Sequence, residues 1–133
     1  MEQVRVHVEA EVNPTESEAK VRRAVENVLG SIPLQAKPQH KGSLLIGDAK
    51  GTEALTKLYN ILRRERIRAA ARKSLLEGRD ARSLSFSLNK QVAYAGQVSF
   101  STENAESPLG PIKVRIECGN PRELINWLTQ GIQ

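Results

Sequence analysis

At 133 residues the chain reads as one domain, residues 1–133, long enough to bury about two thirds of the surface that its unfolded form exposes, and its one cysteine, Cys118, excludes an intrachain disulfide or a metal site built on paired thiolates. The apolar fraction of 39% is low but falls in periodic blocks, which excludes a disordered chain, and no apolar run approaches the roughly 20 residues that cross a bilayer, so a cytoplasmic protein with no membrane partner is expected. Twenty Lys and Arg against fifteen Asp and Glu leave +5; ten of those cations against four acids lie between Lys50 and Arg82, a local excess of the kind that marks a phosphate site.

In chain order, Val4, Val6, Val8, Ala10 and Val12 alternate with Arg5, His7, Glu9 and Glu11, the period-two pattern of a strand buried on one face. Asn13-Pro14-Thr15-Glu16 then predicts a helix start, with Asn13 as cap and Pro14 at the first helical position; Thr15 with Glu18 offers a second register. Val21, Val25, Val28, Leu29 and Ile32 form one helical stripe, ended by Gly30 and Pro33. Leu34 to Gly42 reads as a polar connection, with Pro38 where a loop or strand edge tolerates it, and Ser43-Leu44-Leu45-Ile46-Gly47 as a short central strand. Gly47 to Thr52 reads as a turn into a helix, and its glycines and lysine lack the spacing of a phosphate-cradling loop.

Leu55, Leu58, Tyr59 and Leu62 form one helical stripe and Ile67, Ala70, Ala71 and Leu75 another, displaced by about a third of a turn. A break near Glu65 and Arg66 is therefore expected between two helices, the second closed by Gly78. Leu84, Phe86 and Leu88 alternate with serines, and beyond Asn89-Lys90-Gln91 the pattern resumes in Val92, Tyr94, Val98 and Phe100, which predicts a hairpin. Ser101 to Ser107 reads as a loop, Pro108-Leu109-Gly110-Pro111 as a turn, and Ile112, Val114, Ile116 and Cys118 as a final strand. Asn120-Pro121 starts a last helix packed through Leu124, Trp127 and Leu128. The order β-α-β-α-α-β-β-β-α predicts an α+β fold, a two-layer sandwich of a twisted, mostly antiparallel sheet with helices on one face.

Four of these stretches are Asn13-Pro14-Thr15-Glu16, Leu62-Arg63-Arg64-Glu65-Arg66-Ile67, Phe86-Ser87-Leu88-Asn89-Lys90-Gln91 and Ser107-Pro108-Leu109-Gly110-Pro111-Ile112. In this order the chain resembles the archaeal uncharacterised protein family 0201 (UPF0201), from the first strand to the last helix. The resemblance implies a fold similar to large-subunit ribosomal protein five and, by that analogy, an RNA-binding role with no established reaction.

On a continuous helix Lys57, Arg64, Arg68 and Arg72 would share a sector of about 80°. With Arg63, Arg66 and Lys73 they make the candidate RNA-binding set, and Asn89 and Lys90 add a polar cluster at the hairpin whose amides reach toward base edges. Arginine outnumbers lysine in the stretch, which favours bidentate phosphate contacts. The same cations also read as a solvated helix face paired with Glu65 and Glu77; if they bind instead, replacing Arg64, Arg68 and Arg72 with Glu leaves thermal unfolding nearly unchanged. All five aromatics fall in apolar registers, which points to recognition of structured RNA by shape and backbone.

No catalytic motif, metal site or cofactor is expected. His7 lies on the outer face of a strand, His40 lies in a polar turn, and Glu9, Glu11 and Glu117 would gather only if the first and final strands were neighbours. The alternative class is a protein-interaction module, a homodimer through an uncovered sheet face or the edge of the first strand.

Overall fold

The computed structural model describes residues 3–64, 66–101 and 110–130. Strict alternation makes the first strand, β1 (Arg5–Val12), which buries Val6, Val8, Ala10 and Val12 and turns Arg5, His7, Glu9 and Glu11 to the opposite side. It pairs antiparallel with β3 (Ser43–Lys50) on one side and β6 (Ile112–Glu117) on the other. Beyond β3 lies the edge strand β2 (Leu34–Pro38); beyond β6 lie β4 (Ser83–Leu88) and the short β5 (Phe100–Ser101). Among the described residues the sheet is six-stranded in the order β2-β3-β1-β6-β4-β5, with every pairing antiparallel. The fold is α+β, and no described helix is long and apolar enough to cross a membrane.

One sheet face carries the helices. α1 (Glu18–Leu29) sets Val21, Ala24, Val25, Val28 and Leu29 against it. After a 3-10 turn at Thr52–Leu55 follow α2 (Thr56–Arg64), with Leu58, Ile61 and Leu62 inward, and α3 (Arg68–Glu77), with Ala71 and Leu75 inward. The expected break is there, and Arg66 takes a positive φ of 56° in it. That backbone geometry re-aims the apolar stripe for the second helix. α3 ends at Gly78, a position that only glycine can fill because an added Cβ would meet the Ser85 carbonyl oxygen. α5 (Pro121–Leu128) closes the chain, its Asn120 side chain accepting from the Glu123 amide.

Four local expectations are corrected. Leu34–Pro38 is a strand and not a connection; Pro38 is tolerated because β2 is an edge. β3 runs on through Lys50, so the turn expected from Gly47 begins only at Gly51, and Gly47 is required by packing, since a Cβ there would collide with Leu34, Pro33 and Ile32. The first helix starts at Glu18 with Ser17 as its cap, and Asn13 to Glu16 form a turn ahead of it. In that turn the Glu16 carboxylate accepts from the Asn13 backbone N–H and side-chain amide. Finally, the second hairpin strand is confined to β5 at Phe100–Ser101, which does pair with β4, and its first half is a helical turn, α4 (Lys90–Tyr94), because the Asn89 side chain caps it by accepting from the Val92 amide at 2.9 Å. The Ser101–Ser107 loop, but for Ser101, and the Pro108-Leu109 half of the turn that follows it lie outside the described residues.

On the other sheet face charges alternate in sign across strands. Glu9 stands opposite Lys113 and Glu117 opposite Arg5, so Glu9, Glu11 and Glu117 do not gather although β1 and β6 are neighbours. His7 stands opposite Asp48 and holds it at 2.8 Å through Nδ1, and Glu9 at 2.7 Å through Nε2. The hydrogen bond to Glu9, then that to Asp48, raises the His7 pKa above its ordinary 6.5. A raised folded-state pKa contributes stability that is complete below the unfolded value and lost as pH rises through the folded one. The imidazole proton resonances of His7 should therefore titrate above 6.5, and His7→Gln should flatten the decline of stability from about pH 6.5 upward. A midpoint at or below 6.5 would remove His7 from this account.

Candidate nucleic-acid interface

The break between α2 and α3 divides the predicted basic stripe. Lys57 and Arg64 project toward α1 and α4, whereas Arg63, Arg68 and Arg72 project toward α5. The Arg68 Nη1 and Arg63 Nη2 groups both donate to the Gln130 carbonyl, at 3.0 and 3.2 Å, just past the end of α5. The Arg63 guanidinium also lies 3.3 Å above the Tyr59 ring, which stacks on Trp127 with centroids 4.6 Å apart. Arg72 Nη1 donates to Asn126 Oδ1 at 2.8 Å and to Thr129 Oγ1 at 3.1 Å. These three arginines satisfy and neutralise the C-terminal end of a helix, where unpaired carbonyls concentrate negative charge. That geometry gives Arg68 and Arg72 partners at the end of α5, so their replacement is now expected to lower stability, against the expectation that thermal unfolding would stay nearly unchanged.

Lys90 is the larger correction. It is only 5% exposed, and its ammonium donates to the Glu11 carbonyl at 2.7 Å and to the Glu16 carboxylate at 3.0 Å. Asn89, its neighbour, uses its side-chain oxygen as the cap of α4. Lys90 thus belongs to the frame that joins β1, the turn before α1, and α4, while Asn89 is half-buried with its side-chain oxygen engaged in the cap. Burial pushes the Glu16 carboxyl upward, but the Asn13 and Lys90 hydrogen bonds outweigh it and hold its pKa below the ordinary 4.5.

The remaining predicted cations, Lys57, Arg64, Arg66 and Lys73, are exposed. Lys57 and Arg64 stand in a cleft of about 630 Å³ between α1, α2 and α4. Arg23 and Asn27 of α1 and Asn60 of α2 line it too, and Tyr94 and Gly96 form its far wall. Its lining has three cations and no acid. Larger positional freedom is removed at both ends: Lys57 Nζ donates to the Glu26 carbonyl near the end of α1 at 2.9 Å, and Arg64 Nη2 reaches the Gly96 carbonyl at 3.4 Å.

The sequence reading missed Arg23, Asn27 and Asn60, and it assigned Tyr94 to a strand. The spacing of Lys20, Arg23 and Asn27 along α1 does place them on one side, but nothing local sets that side beside α2. Tyr94 is the one exposed large apolar side chain among the described residues, at 44%.

A family model described as RNA binding matches residues 5–118. A UPF0201 protein of Aeropyrum pernix is 41% identical over 126 residues, covering 94% of this chain and 84% of that protein. Another, of Sulfurisphaera tokodaii, is 40% identical over 125 residues, 94% and 86% of the two chains. The crystal structure of a UPF0201 protein from Methanococcus jannaschii is similar with a TM-score of 0.84 at 29% identity, over 94% of this chain and 98% of that one.

Proposed function

The chain belongs to the archaeal UPF0201 family, and from that premise we propose that it binds structured RNA, without catalysing a reaction on it, through the cations of the α1–α2–α4 cleft and the exposed Arg66 and Lys73. The observation that carries this reading is the cleft with three cations and no acid, on a chain whose family model is described as RNA binding. A lining of one sign raises the local potential for a polyanion, and arginine and lysine together provide forked and point-charge phosphate contacts. Similarity in fold to large-subunit ribosomal protein five belongs to the same reading and adds only analogy to it.

The binding face is narrower than the basic segment. It comprises Lys57, Arg64, Arg66 and Lys73, joined by Arg23, and leaves Arg63, Arg68 and Arg72 to α5 and Lys90 to Glu16. Anisotropy titrations with a structured RNA, a single-stranded RNA and a DNA duplex over a range of salt test it. Four or five phosphate contacts give a slope of log K against log salt of about −4, with the structured RNA bound most tightly. Combining Lys57→Gln, Arg64→Gln and Lys73→Gln should make that slope shallower by about 3. Absence of binding to all three nucleic acids at low salt refutes the reading, and elution of the protein as a dimer would then favour an interaction module.

A further inference from the structure

We propose that the α1–α2–α4 cleft is a receptor for one unpaired RNA nucleotide, its base stacked on Tyr94 and its phosphate held by Arg23, Lys57 and Arg64. This rests on the RNA-binding reading and adds to it a ligand of defined chemistry at a defined place. The aromatic and the cations are the two halves of a single-strand site, since every base offers a π-face and every nucleotide a phosphate.

Tyr94 is exposed for a structural reason. α4 ends at Ala95 in a tight turn: the Gln97 N–H bonds to the Val92 carbonyl, the Gly96 N–H bonds to the Ala93 carbonyl, and Gly96 takes the left-handed φ of 83° that this helix ending requires. In α4, Ala93 turns inward and is fully buried, which leaves Tyr94 on the outside. Asn27 locks the turn from α1, its Nδ2 donating to the Ala93 carbonyl at 3.1 Å and the Tyr94 carbonyl at 3.0 Å. The ring thus projects from a rigid base, with the Lys20 ammonium 6.0 Å from its centroid.

The phosphate side is equally prepared. Lys57 gives one of its three ammonium donors to the Glu26 carbonyl, which positions the side chain and leaves two donors for an anion. Asn60, exposed on the same wall, carries both a donor and an acceptor for a base edge. The volume of about 630 Å³ suits a nucleotide-sized ligand. A base already stacked in a duplex has no free face for the ring, so the site selects an unpaired nucleotide.

An RNA hairpin with one bulged 2-aminopurine, and the same hairpin fully paired, discriminate this proposal. The bulged hairpin should bind about 10-fold more tightly, and its 2-aminopurine emission should fall on binding as the base stacks. Tyr94→Ala should abolish both the preference and the quenching while leaving the salt slope unchanged; Tyr94→Phe should keep both. Equal binding of the two hairpins, or full quenching by Tyr94→Ala with an unaltered thermal melt, overturns the nucleotide receptor and leaves backbone binding standing. Loss of binding to every RNA would overturn both readings together.

Discussion

Lys90→Met should lower the midpoint of thermal unfolding by about 10 °C. Lys90 and Glu16 form an ion pair with side chains only 6% and 13% exposed. Removing the ammonium leaves the carboxylate largely out of water with only the two Asn13 donors, and breaking a buried pair from one side costs about 3 kcal/mol. In a domain of this length that corresponds to about 3 °C per kcal/mol. The Glu11 carbonyl loses a donor as well. Since Glu16 titrates below its ordinary 4.5 in the folded protein, its contribution is present above pH 4.5 and lost as pH falls through the lowered value. The gap between wild type and variant should therefore close in acid, and Glu16→Gln added to Lys90→Met should restore part of the loss at neutral pH. Unchanged thermal melts at pH 7 would show that water replaces the ammonium freely.

The second large effect concerns the arginines that the charge pattern places in a binding face. Arg68→Ala with Arg72→Ala removes the donors to Asn126 and Thr129 and one of the two to Gln130, leaving Arg63 there. Hydrogen bonds from a charged donor contribute about 1.5–3 kcal/mol each when well buried, and these are partly exposed, so about 3 kcal/mol is expected for the pair. Trp127 is the only tryptophan in the chain and sits on α5 against Tyr59, so its emission reports the end of that helix directly. The variant should shift Trp127 emission to the red below the global melt, because α5 loosens before the sheet opens. Arg72→Lys should recover some of the loss, the charge being kept but not the reach and planar placement of Nη1 between Asn126 and Thr129. Intact Trp127 emission combined with lost RNA binding would return these arginines to the interface.

Where a signal is confined to a few neighbouring residues, it was legible. Alternation in Val4 to Val12 gives β1 because a pleated strand repeats every two residues whatever surrounds it, and Asn120-Pro121 starts α5 because capping involves only the next three residues. Asn89 offered the same local signal, its side chain reaching the Val92 amide. It was outweighed by the spacing of Val92, Tyr94, Val98 and Phe100 at even intervals, which reads as a strand although Ala93 and Ala95 beside Tyr94 break the apolar–polar alternation. The two stretches Asn13 to Glu16 and Phe86 to Gln91, each prominent in the sequence, turn out to meet in one buried pair, Glu16 with Lys90.

The sequence by itself determined the α+β class, the inward faces of β1, α1, β6 and α5, the break before Ile67 and the concentration of positive charge between Lys50 and Arg82. These follow from periodicity, backbone preference and counting. Which of those charges is available for a ligand was decided only by the tertiary structure. A long cation is captured by whatever carbonyl the fold brings near it, and for Arg63 and Arg68 that is Gln130, for Arg64 Gly96 and for Lys57 Glu26. Helix ends gather orphan carbonyls, and the packing of α1, α4 and α5 around α2 and α3 directs three such ends at the basic segment. The same packing places Arg23 and Tyr94 beside Lys57 and Arg64, a proximity between distant stretches that no local pattern encodes.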